Sequence, residues 1–151
     1  MMLPDKDIAA LSTICRKINI WKNEKAAPYG LSAAQVPIVI LVCQNDGMSQ
    51  NDVVEQLDLE KSVVAKSIGK LIASGYLTRQ KNPEDKRAYD LFPTPKAMEI
   101  YPALVQQGQQ CMNLLTTGLS VAQKEQLSKL LDKLLENSFT KFKGTSINRS
   151  I

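Results

Sequence analysis

Apolar residues recur along most of this chain at helical spacing. Between residues 5 and 25, Ile8, Leu11, Ile14 or Cys15, Ile18 and Trp21 fall three or four apart, which predicts an amphipathic first helix ended by "APYG". Ser32 reads as the N-cap of a second helix to about Gln44, with Pro37 early in it at an expected cost of one backbone hydrogen bond. After the turn "NDG" at 45–47, Ser49 and Asp52 make a capping-box-like start, and Val53, Val54 and Leu57 give a short third helix its apolar face. Asp58, Leu59 and Glu60 leave room only for a tight corner. A fourth helix follows from about 61 to 74, with Val64, Ile68, Leu71 and Ile72 inward and Gly75 as its C-terminal cap.

The period then changes from helical to alternating. "YLTRQ" (76–80) and "AYDLF" (88–92) flank a proline turn and the triplet Asp85-Lys86-Arg87, which reads as a hairpin with a basic tip. Thr94 and Pro95 form an N-cap followed by proline at the first helical position. Residues 95–117 and 120–142 predict two more helices, divided near Gly118-Leu119-Ser120, and Pro102 predicts a kink in the first of them. In the second, Leu127, Leu130, Leu131, Leu134, Leu135, Phe139 and Phe142 make an apolar stripe wide enough to need a partner, either the chain's own core or another protomer. Residues 143–151 read as a flexible tail.

Composition narrows the chemistry. The 151 residues are 44% hydrophobic, enough for one domain with a core. There is no histidine, which removes the usual general base and most zinc sites. With no glycine-rich phosphate loop and no ligand cluster either, no catalytic residue, no metal site and no cofactor is expected. Three cysteines, Cys15, Cys43 and Cys111, are widely spaced without a CxxC pair and read as reduced thiols. The opening residues lack a hydrophobic signal region, and "VPIVILVC" (36–43) is far short of the roughly 20 residues of a membrane span. A cytoplasmic protein with no membrane partner is the expectation. The net charge is +4, and the excess is local: residues 1–59 carry 5 basic and 7 acidic groups, whereas 60–90 carry 7 and 4.

Two short helices joined by a three-residue corner are the helix-turn-helix arrangement, whose second helix enters the major groove of double-stranded DNA. On the outward side of residues 61–74, Lys61, Lys66 and Lys70 suit phosphates, Ser62 is a small donor or acceptor, and Val63 and Ala65 carry methyl groups able to touch those of thymine. The plain alternative is a helical hairpin with its lysines in water. A hairpin directly after such a helix is the wing of a winged helix. Arg79, Lys86 and Arg87 then join the candidate DNA contacts, with Arg87 on phosphate or in a minor groove. Asp85 is given the structural role of pairing with a nearby arginine to fix the tip.

Residues 31–97 resemble the multiple-antibiotic-resistance repressor (MarR) family of bacterial transcription regulators. Leu31, Ser32 and Gln35 match the signature that opens its second helix, and Arg79, Pro83, Asp85, Arg87 and Thr94 match its wing. Val63, Ala65 and Lys66 stand where the family often has threonine or arginine, so operator preference should differ. The mid-helix Gly69 should loosen the helix by about 1 kcal/mol relative to alanine. The resemblance implies a mainly α fold with a small β-hairpin wing: a DNA-binding lobe over about 31–93, and dimerisation helices over about 5–25 and 95–142 that interlock a homodimer. It also implies a repressor of a palindromic operator, switched by a small aromatic or phenolic effector or by an oxidant. Trp21 and Tyr29 are candidates to line an effector cleft, against an ordinary core or cap role. Cys15, beside Arg16 and Lys17, is the candidate redox residue, although its place on the apolar spacing favours a buried, inert thiol. The competing reading is a winged-helix protein-interaction module without specific DNA binding, for which the basic face would have no use.

Overall fold

The computed structural model describes residues 3–142, with side chains from Asp5 onward; the tail expected over 143–151 lies outside the described residues. The elements run α1 (Leu3–Ala26), a 3-10 turn (Ala27–Tyr29), α2 (Val36–Gln44), α3 (Gln50–Leu57), α4 (Lys61–Ala73), β1 (Leu77–Lys81), β2 (Tyr89–Pro93), α5 (Pro95–Leu115) and α6 (Val121–Lys141). This is a mainly α winged helix-turn-helix with long terminal helices.

One cluster of aliphatic side chains holds the middle of the chain together. Ile38, Val39 and Val42 of α2, Val53 of α3, Val64, Ile68 and Leu71 of α4, Leu77 and Leu91 of the hairpin, and Leu104 of α5 are essentially buried. The inward positions of α4 lie three and four apart, so one stripe of that helix is sealed and the rest is left to solvent. α6 contrasts with this, having no buried residue.

Helix boundaries follow local chemistry. Ser49 and Asp52 close a full capping box on α3, each side chain accepting from the other's backbone N–H at 3.0 Å. Asp58 then turns the corner in the left-handed region (φ 54°). At the end of α4, Gly75 (φ 84°) lets its N–H reach Ile72 O while the Tyr76 N–H reaches Leu71 O, the paired bonds of a Schellman motif. Thr94 caps α5 through Ala97 N–H, and α5 runs as one helix through Pro102.

Two expectations for α2 are corrected. Ser32 does not cap it: the helix starts at Val36, and Gln35 Oε1 instead accepts from the Ser32 N–H at 2.9 Å. The turn between them is tied to α1, because Asn23 Oδ1 takes the Ala33 N–H at 2.7 Å. Pro37 consequently falls in the first turn of α2, where an N–H has no intrahelical partner to lose, so the expected cost vanishes.

Candidate nucleic-acid interface

The outward face of α4 is assembled by what its inward face buries. With Val64, Ile68 and Leu71 fully buried, Lys61, Ser62, Val63, Ala65, Lys66, Gly69 and Lys70 are exposed on one continuous surface. Glu60, in extended backbone, is the N-cap of α4. Lys70 lies in the last turn, where a cation also meets the negative end of the helix dipole.

The hairpin stands beside this face. β1 and β2 are antiparallel with Arg79 opposite Leu91 and Lys81 opposite Tyr89. β2 also takes a third short partner: Gly47 N–H donates to Leu91 O and Leu91 N–H to Met48 O, both at 2.8 Å, and Ser49 bridges Asp90. The wing is therefore sewn to the segment that starts α3. Arg79 lies over the Tyr89 ring, 4.7 Å from its centroid, a cation–π contact that steers the guanidinium along the strand.

At the tip, Asn82 Oδ1 accepts from the N–H groups of Glu84 and Asp85. Asp85 Oδ1 accepts from Arg87 N–H at 3.0 Å, and the Arg87 Nε lies 3.6 Å from the same oxygen. The arginine expected to pair with Asp85 is thus Arg87 itself. Its side chain remains 94% exposed, and Lys86 is exposed next to it. A groove of about 360 Å³ runs between the wing and the start of α3 and α4, lined by Ser49, Gln50, Asn51, Lys61, Asp85, Arg87 and Tyr89 among others. Gln50, Asn51 and Tyr89 were not singled out from sequence. Strand alternation, which puts 79, 81 and 89 on one face, was the signal available for Tyr89.

The remaining candidates are dispersed. Trp21 lines an apolar cavity of about 270 Å³ with Val36, Pro37, Ile40, Leu41, Leu57 and Leu104, between α1, α2 and α5. Tyr29 does not line it. Tyr29 packs against the core, and its carbonyl accepts from the Tyr76 hydroxyl. Cys15 is exposed in the chain, correcting the expectation of a buried thiol: the face of α1 that carries Ile8, Leu11 and Ile14 is uncovered as well. Cys111 is buried, and burial pushes the Cys43 thiol above its ordinary range. Among the described residues, no three His, Cys, Asp or Glu gather as a metal site, and no helix is long and apolar enough to cross a membrane.

Fold and face together define a winged helix-turn-helix protein with a basic outer surface. The MarR family model matches residues 29–88. The HTH-type transcriptional regulator YybA of Bacillus subtilis is 24% identical over 127 residues, 84% of this chain and 85% of its own length. The crystal structure of a MarR transcriptional regulator from Methanosarcina mazei superimposes with a TM-score of 0.85 at 25% identity, covering 91% of this chain and 99% of that one. A MarR family regulator from Listeria monocytogenes, solved in complex with a 26mer DNA, shares the fold with a TM-score of 0.81 at 23% identity over 87% of each chain. Over the winged-helix lobe the chain thus matches the MarR family model, and its fold is similar to that of MarR transcriptional regulators.

Proposed function

We propose that the protein binds double-stranded DNA sequence-specifically, as a homodimer that represses transcription from a palindromic operator. The observation that carries this reading is the pairing of α4's exposed face with the basic wing beside it. α4 acts as the recognition helix: Ser62, Val63 and Ala65 face base edges, and Lys61, Lys66 and Lys70 meet phosphates. Arg79, Lys86 and Arg87 hold the wing on the backbone or in the adjacent minor groove, with Asp85 fixing the tip. Residues 31–93 form the reading lobe of a single domain in a cytoplasmic protein.

The homodimer is supported by the placement of apolar surface. Among the described residues, every exposed large hydrophobic side chain except Val63 lies on or beside α1, α5 and α6. Leu130, Leu131, Leu134 and Leu135 alone are 41–58% exposed on consecutive turns of α6. A two-fold partner covering that stripe would also present two recognition helices about 34 Å apart, one turn of DNA. The cavity beside Trp21, between a terminal helix and the reading lobe, is where a small aromatic or phenolic effector would bias the pair.

The test is fluorescence anisotropy of the full chain on duplexes enriched by in vitro selection from a randomised pool, against scrambled duplexes, across a salt series. Preference for the enriched duplex with a steep loss in salt supports the reading. Equal binding to both, or none at low salt, overturns it in favour of a protein-interaction module.

A further inference from the structure

Val63 is out of place by the rule that governs the rest of its lobe. From Trp21 to Ala97 every other large hydrophobic side chain is at least partly buried, whereas Val63 is 44% exposed. It sits between Ser62 and the next outward turn at Lys66, on the flank of the stripe formed by the buried Val64, Ile68 and Leu71. The fully buried stripe of this helix is made by Val64, Ile68 and Leu71 without it. β-branching also lowers helix propensity slightly, so the position is not chosen for the helix.

What surrounds Val63 says what it meets. α4 reads Lys-Ser-Val-Val-Ala-Lys-Ser-Ile-Gly-Lys-Leu-Ile-Ala, without one arginine, asparagine or glutamine. The two-pronged contacts that amide and guanidinium side chains make to adenine and guanine are therefore absent from the whole helix. Three lysines flank the aliphatic position and none of its exposed neighbours on α4 is acidic, so the surface is matched to a polyanion and repels a cationic partner. The apolar feature that double-stranded DNA presents in the major groove is the C5-methyl group of thymine.

We propose that Val63 is a specificity-determining residue that reads thymine through its C5-methyl group, so that this protein selects its operator by methyl contact where α4 lacks the bidentate hydrogen bonds of amide and guanidinium side chains. The inference rests on the DNA-binding reading above. Ala65 is the lesser member of the same contact, with one methyl to offer, and the flanking lysines set affinity without choosing the base. Burying one methyl is worth about fourfold in affinity.

The experiment replaces each thymine of the selected duplex in turn by uracil, which removes the methyl and leaves base pairing intact. One or two positions in each half-site should lose about fourfold in affinity for the wild-type chain, with the slope of affinity against salt unchanged because no phosphate contact is lost. Val63→Ala should lose most of the discrimination between thymine and uracil duplexes at those positions, and Val63→Ile should restore it. Specific binding that tolerates uracil everywhere, or a uracil penalty that is undiminished in Val63→Ala, overturns the inference while leaving DNA recognition standing. Failure to enrich any sequence overturns both.

Discussion

Lys96, on the first turn of α5, donates from Nζ to the carbonyl oxygen of Ser74 at 2.7 Å, closing the C-terminal end of α4 from another helix. The same ammonium lies 4.4 Å from the centroid of the Tyr76 ring, and Thr94 Oγ1 donates to Gly75 O at 2.6 Å. The carbonyls that close the end of α4 are thus held by the start of a terminal helix, and a cation there also offsets the helix dipole.

Lys96→Met keeps the aliphatic stem and removes the charge, so it should cost about 0.5–1 kcal/mol of stability. Chemical denaturation reads that loss. Hydrogen exchange should show faster opening at Ser74 to Tyr76 than at the buried centre of α4, and uniform protection would contradict the role.

Tyr76 supplies an alkaline dependence. Burial, and then the neighbouring Tyr29, push its phenol above the ordinary value of 10.0. The folded chain therefore keeps a proton that the unfolded chain gives up near pH 10, so this group's stabilisation is complete below that pH and is lost as pH rises through the folded value. Tyr76→Phe should be less stable by about 1 kcal/mol at neutral pH, since Tyr29 O loses its donor. The gap should narrow in urea titrations above pH 10; a constant gap would mean the phenol does not titrate with unfolding.

At the wing, Arg87→Ala should weaken binding to specific and scrambled duplexes alike and lower the salt slope by about 1, as expected for one lost phosphate contact. Thermal melting should be unaffected, because Arg87 is exposed. Asp85→Ala removes the acceptor of the Arg87 N–H; it should weaken binding less, with the salt slope retained. Normal binding by Arg87→Ala would take the wing off the DNA.

On α6, Leu131→Glu with Leu134→Glu puts carboxylates into the exposed stripe. Analytical ultracentrifugation should show a dimer for the wild type and a monomer for the double variant. The wild-type melting temperature should rise with protein concentration, as folding coupled to association requires. A double variant that still sediments as a dimer would place the interface elsewhere.

Much of this was readable because it is local. Ser49 with Asp52, Gly75, and Thr94 with Pro95 each announce a helix end within four residues, and Val64, Ile68 and Leu71 mark an inward stripe by spacing alone. The candidate DNA contacts on α4 were named as the complement of that stripe. What escaped depends on residues far apart: Asn23 holding Ala33, Lys96 holding Ser74, and the bridge of Ser49 to Asp90, a single pairing too short to carry a strand period. Cys15 shows the opposite failure. Spacing placed it correctly on the apolar side of α1, but that side is uncovered in one chain, so periodicity identified a face without saying what buries it.

The stitching of β2 has an evolutionary corollary. Because β2 bonds on one edge to β1 and on the other to the segment before α3, and then leads through Thr94 into α5, the wing and the helix-turn-helix share a rigid frame. In the proposed homodimer, substitutions on α1 or α6 would shift the separation of two such frames while leaving intact the alphabet each one is proposed to read. On that reading half-site spacing and base preference are separable traits, free to diverge on different schedules within one lineage.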